Sequence, residues 1–203
     1  SRVRAMRMDF ERAFIKGSEE ASNGLEFDGL QARIGTSSSQ YIANQSGNSG
    51  ALSFGALDEA LDEVDAQGGQ KYLVMSKQMR RALTKGSRDN GVNGGVHIST
   101  DEIGRQRMMY ADVPILIMDK DQSNTDILGA TEANSTSSIY VATFGDLGCT
   151  GIQNGSINVR ELGEDTSRPQ LVTRIEWYCG LAVKSGRSVA RLAKIDPTLA
   201  AIA

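Results

Sequence analysis

The chain has 203 residues, 39% of them hydrophobic and 23% charged, a globular composition that excludes an intrinsically disordered polymer. A formal net charge of −3 excludes a nucleic-acid grip built on bulk charge, and no apolar run approaches the roughly 20 residues of a membrane-spanning helix. Cys149 and Cys179, far apart and without a CxxC spacing, read as reduced, partly buried thiols in a cytosolic setting.

In chain order, Ser1 to Lys16 places Val3, Met6, Phe10, Ala13 and Phe14 at the spacing of one buried helical stripe, with Gly17 as the stop. No capped start and no initiator Met precede this helix, so the expectation is a chain cut from something longer. Residues 18–50 are rich in Gly, Ser, Asn and Gln and predict a surface loop or a hinge. Residues 53–66 predict the clearest helix, with Ser53 as N-cap. Leu57, Ala60, Leu61 and Val64 form its inner face, and Asp58, Glu59, Asp62, Glu63 and Asp65 its outer one. After Gly68-Gly69, Tyr72 to Met75 has strand character, and Ser76 caps a second helix running to about Thr84. Met79, Ala82 and Leu83 point inward there, while Lys77, Arg80, Arg81 and Lys85 make the outer face basic.

Residues 86–104 read as a long polar loop interrupted by Val96-His97-Ile98. Val113 to Met118 is an apolar strand in which Pro114 predicts an edge or first-residue position. Another polar loop, 119–138, leads to a strand over Ile139 to Phe144. Ile157 to Arg160 alternates, and so does Leu171 to Val183, with Leu171, Thr173, Ile175 and Trp177 on one side. Gly186 to Ile195 predicts a closing helix, stopped by Asp196-Pro197. There is no internal repeat, and the order of elements predicts an α+β fold in two parts.

Catalytic patterns are weak. Glu59 and Glu63 share a helix face, but nothing nearby would separate their acidities for acid–base work. Gly86 to Gly95 follows a helix and has Lys-Gly-Ser in the wrong order for a phosphate loop. Residues 119–130 echo a calcium loop, but Asn124 replaces the central Gly and Ala130 the terminal Glu. His97 is the single histidine, which leaves little for a nucleophile–base pair or a zinc site with Cys149 and Cys179. No catalytic, cofactor or metal residue is therefore assigned. The acidic helix and the basic helix read instead as two surfaces that either solubilise the chain or meet across a symmetric contact, which makes Asp58, Glu59, Asp62, Glu63, Lys77, Arg80 and Arg81 candidate inter-subunit residues. Arg174, Lys184, Arg187, Arg191 and Lys194 make the C-terminal part basic, either as a DNA-facing surface or as a solvated strand and helix edge, the latter slightly favoured. Trp177 and Tyr178 read as core and interface anchors on a strand.

Three segments resemble the major capsid proteins of tailed bacteriophages with the Hong Kong 97 phage-type fold. Phe10 to Gly17 and Asn23 to Leu30 look like the end of that family's spine helix and the Gly-Leu step after it. Ala111 to Ile117 is similar to its Pro-containing apolar strand. Ile139 to Gly151, Ile157 to Arg160 and Arg174 to Val183 resemble the closing strands. The resemblance implies an α+β fold with an axial domain over residues 46–151 and a peripheral domain built from 1–45 and 152–203, the latter including the return to the axial domain. It implies a structural, non-enzymatic virion protein, without cofactor, that self-assembles as hexamers and pentamers into an icosahedral head in the host cytoplasm. Scaffold, portal and decoration proteins are its implied partners, with packaged double-stranded DNA held by non-specific contact and no membrane. The family's N-terminal arm and extended hairpin loop have no counterpart in this sequence. An encapsulin-type nanocompartment shares the fold and is the alternative; a truncated α/β enzyme domain is the reading from another class.

Overall fold

The computed structural model describes residues 2–44, 50–66, 68–89, 96–100, 104–164 and 168–202. Four helices are present among them: α1 (Arg2–Lys16), α2 (Leu30–Arg33), α3 (Phe54–Glu63) and α4 (Lys77–Asp89). The strands are β1 (Tyr41–Ala43), β2 (Gln70–Ser76), β3 (Val96–Thr100), β4 (Gln106–Tyr110), β5 (Val113–Met118), β6 (Ser137–Phe144), β7 (Cys149–Gln153), β8 (Asn158–Glu164), β9 (Leu171–Glu176), β10 (Cys179–Val183) and β11 (Val189–Ile195).

The main sheet runs β1-β11-β6-β2-β5-β4-β3, with β7 joined to β6 and β10 to β7, and β8 and β9 form a separate two-stranded sheet. Period-two alternation sorts the main sheet's side chains into two cores. Leu73, Met75, Ile139, Val141, Ala190 and Leu192 face α3 and α4, packing against Leu57, Ala60, Leu61, Met79 and Leu83. Val74, Tyr140, Ala142 and Val189 face the other way, against Ile15 of α1 and Leu30 and Ile34 around α2. The result is a mixed α+β layering, with helices on both faces of a sheet whose central strand, β6, is buried along nearly its whole length. The spine-like α1 buries Ala13 and Ile15; Phe10 and Phe14 are half-buried, and Val3 is exposed.

Several expectations change. Gly186 to Ile195 is not a helix: a short turn at Gly186–Ser188 leads into β11, which fills the slot between β1 and β6. A strand buried on both faces carries a nearly continuous apolar run, and periodicity alone does not separate that from a buried helix. Residues 18–50 hold α2 and β1 and bury Leu30, Ile34, Gln40, Ile42 and Asn44, so much of this segment is anchored; 45–49 lie outside the described residues. Strand β5 is interior, between β2 and β4. Pro114 lies in the short ladder to β4, opposite Met109, while the β2 ladder begins only at Leu73–Ile115, one residue later, so on that side no N–H is needed from it. The basic helix extends past Thr84 to Asp89, and the loop expected over 86–104 contains β3, which pairs with β4 just beyond it; 90–95 and 101–103 lie outside the described residues. Leu171 to Val183 is two strands, broken at Trp177-Tyr178, where Trp177 packs on Phe10 of α1 at 5.2 Å between ring centroids.

Candidate assembly surface

Helix α3 lies over β1 and β11, and α4 over β2 and β5. Their polar faces therefore stand side by side on one layer, acidic toward one end of the sheet and basic toward the other. Ser53 has the extended backbone of an N-cap but makes no side-chain cap bond; the hydroxyl of Ser76 does, accepting from the Met79 N–H at 3.1 Å.

The acidic residues do not act as one set. Asp58 accepts a 2.7 Å hydrogen bond from the Tyr110 hydroxyl, and burial together with that carboxylate pushes the Tyr110 pKa up. Glu63 accepts from the Gln40 amide, also at 2.7 Å. Glu59 and Asp62 are exposed and carry no ion pair among the described residues. On α4, Lys77 pairs with Asp119 at 2.7 Å across the surface, and its hydrogen bond holds the Asp119 carboxyl below the usual range. Arg80 and Arg81 border a cavity of about 270 Å³ with Asp119 and Asp126. The candidate set thus divides into Asp58, Glu63 and Lys77, which have partners within the chain, and Glu59, Asp62, Arg80 and Arg81, which carry no ion pair among the described residues.

The basic C-terminal residues also separate. Lys184 and Arg187 are exposed, and Arg174 pairs with Glu176 at 2.6 Å. Arg191 is neither DNA-facing nor solvated, because it is a strand residue that points into the core layer rather than a helix-edge one. Its guanidinium meets Glu132 at 3.0 Å, donates to Ser138 at 3.1 Å, and lies 5.5 and 5.9 Å from the ring centres of Tyr41 and Tyr140. Ser138 in turn reaches Glu132 at 2.8 Å. This network borders a cavity of about 800 Å³ that also exposes Lys16 and Lys194, and burial lowers the Lys16 pKa. Sequence reasoning missed it. The available signal was a lone Arg inside an apolar strand-length run.

The remaining titratable groups show no assembled site. His97 on β3 faces Asp112 at 3.5 Å on the surface. Burial pushes the Cys149 thiol up to about 11 and also raises Cys179. Among the described residues, no group of three or more His, Cys, Asp or Glu could hold a metal ion. Tyr178 is exposed at the β9–β10 break rather than on a strand.

A mixed sheet with helices on both faces, a long opening helix and a separate two-stranded sheet make up the fold, and a solved structure shares it. The holo-SrpI encapsulin complex of Synechococcus elongatus matches with a TM-score of 0.71 at 20% identity, over 96% of this chain and 63% of that one. A virus-like particle from Pyrococcus furiosus matches at a TM-score of 0.42 and 11% identity, over 77% and 57% of the two chains. The chain spans 63% of the length of the encapsulin it matches. No curated protein sequence matches it. A family model described as the SU10 major capsid protein matches residues 1–113, more than half of the chain, and the chain belongs to that family. The resemblance to major capsid proteins of the Hong Kong 97 fold type, drawn from sequence, holds.

Proposed function

We propose that the chain is the repeating structural unit of an icosahedral phage head, assembling as hexamers and pentamers in the host cytoplasm around double-stranded DNA. The observation that carries the reading is its membership in a major capsid protein family across α1 to the start of β5. The work is mechanical: identical contacts repeat around symmetry axes, and burial summed over many interfaces holds the shell. Residues 46–151 form its axial domain, and 1–45 with 152–203 its peripheral domain and the return strand. Scaffold, portal and decoration proteins join it during assembly.

Within the ring, Glu59 and Asp62 of one copy face Arg80 and Arg81 of the next. This is supported by the exposure of Glu59, Asp62 and Arg81, with Arg80 half-buried beside them, by the absence of ion partners for these four among the described residues, and by the placement of α3 and α4 toward opposite ends of one layer. Opposite charges at opposite ends suit a head-to-tail contact, which closes into a ring.

Electron microscopy of the full-length protein tests the reading. Uniform polyhedral particles are expected, filled with DNA when recovered from infected cells. Particles filled with protein would replace the phage head by a nanocompartment. Monomers alone, across a range of salt and with scaffold supplied, would overturn the shell reading. Charge reversal at Arg80 and Arg81 that leaves low-salt assembly unchanged would remove the ring contact.

A further inference from the structure

Among the described residues, the β8–β9 hairpin stands apart from the main sheet. It is a sheet of two strands, and neither strand pairs with any other. Such a ribbon is at best marginally stable in water, and it needs a further surface to pack on. Val159 is 56% exposed and Leu171 80% exposed. Arg160 stands directly opposite Arg174 across the ladder, a like-charge pairing that weakens a sheet unless an anion answers it. Glu176 answers Arg174 at 2.6 Å, whereas Arg160 carries no ion pair among the described residues. Past the Arg pair, the register shifts between Glu161 and Gly163, and Gly163 has φ +85°. A bulge of this kind increases the local twist of the ribbon near Leu171, which closes the described ladder opposite Glu164.

A surface of complementary chemistry lies on the turn after α1. Leu25 is 89% exposed, and Glu19 and Glu20 on the same turn are exposed without ion pairs among the described residues. The turn is held in shape from within. The Glu19 N–H donates to Asp28 at 2.9 Å, the Glu26 N–H donates to the Ser22 hydroxyl at 2.9 Å, and Arg12 of α1 pairs with Glu26. Its residues Glu19, Glu20, Asn23 and Asp28 border a concavity of about 530 Å³. Within one chain, Arg160 and Arg174 form no ion pair with Glu19 or Glu20.

We propose that the β8–β9 hairpin is an inter-subunit arm that docks on the Glu19–Leu25 turn of a second copy of this chain. Arg160 and Arg174 face Glu19 and Glu20, and Leu171 at the end of the described ladder covers Leu25. The inference rests on the self-assembly reading above and adds to it the pair of surfaces that meet.

The test is a charge swap in the full-length protein, read as particle yield by sedimentation and electron microscopy. R160E/R174E is expected to lower the yield about tenfold at moderate salt, and adding E19K/E20K to restore it to within about threefold of wild type. Separately, mixed L25C and L171C chains, in a Cys179→Ser background, are expected to give a disulfide-linked dimer in assembled particles. An R160E/R174E protein with native circular dichroism that assembles like wild type overturns the docking, as does a swap without rescue, and the shell reading stands in both cases. Should R160E/R174E fail to fold, the cysteine pair decides, and absence of the linked dimer overturns the docking. Wild-type chains that never form particles overturn the shell reading, and the docking with it.

Discussion

Replacing Glu132 by Gln should destabilise the protein far more than a surface ion pair would. The side chains of Arg191 and Glu132 are only 10% and 13% exposed, and they meet at 3.0 Å. Solvent screening, which reduces exposed pairs to about 0–1 kcal/mol, is therefore largely absent. The substitution leaves the Arg191 charge inside the sheet layer with Ser138 and the rings of Tyr41 and Tyr140 as its remaining partners. Removing one member of a buried pair costs about 3–5 kcal/mol, and the residual partners here place the expected loss near the lower end, about 3 kcal/mol. R191M should cost a similar amount, because Glu132 then keeps the Ser138 hydroxyl and only the longer-range attraction of Lys16. The double variant removes both charges, so its loss should fall short of the sum by about 2 kcal/mol, the coupling that contacting residues show. Urea unfolding followed by far-ultraviolet circular dichroism, with Trp177 fluorescence as a second probe, measures all three values. Single losses below about 1 kcal/mol, or losses that add to within about 0.5 kcal/mol, would refute the picture of a coupled, desolvated pair.

Ser76→Ala should lose about 1 kcal/mol in the same assay, because Ser76 caps the Met79 N–H, whereas Ser53→Ala should lose much less since Ser53 makes no side-chain cap bond. Gly86→Ala should cost about 2 kcal/mol and loosen the C-terminal segment, because the new Cβ would lie 2.3 Å from the Ala201 carbonyl oxygen. Raising the pH from 9 should lower the melting temperature. Burial holds the folded pKa values of Cys149, Tyr110 and Tyr140 above their ordinary 9.0 and 10.0, so the unfolded chain loses these protons first and is favoured as pH rises. Lys16, lowered by burial, opposes this with a single group. A melting temperature that rises between pH 9 and 11 would contradict the assignment.

Helices α3 and α4 were legible because both carry a 3.6-residue apolar stripe behind a Ser at the cap position, and β2 and β6 because short apolar runs stand between turn residues. Strand β11 was not, for its residues are inward on both faces and leave no alternation to read. Strand β1 is three residues long, below any window in which a period can be measured. The charge of α3 was legible as a face, but its division was not. Tyr110 reaches Asp58 from 52 residues away, and Gln40 reaches Glu63 from 23. Nothing local in the sequence marks either encounter. The hairpin alternates as a strand pair should, yet alternation says only that two faces differ, not whether a core covers one of them.

That last distinction bears on how such a chain could assemble. The main sheet's central strands have both faces covered by the chain's own helices, so the large hydrophobic contribution is made within each subunit. Toward neighbours the described residues present exposed charges on α3 and α4, scattered exposed apolar side chains such as Leu25, Ile98, Leu147 and Ile152, and a ribbon that pairs with no other described strand. Each exposed ion pair contributes about 0–1 kcal/mol and weakens further with salt. Under the proposed contacts, a single encounter between two copies is therefore weak and reversible, and a misplaced subunit can leave. Stability accrues only when a subunit satisfies its helix-face contacts and its arm at once, since the second contact is then made at high effective concentration. Weak contacts repeated around a closed surface thus allow errors to be corrected during growth and still hold the finished shell, which one strong sticky patch on each subunit would not permit.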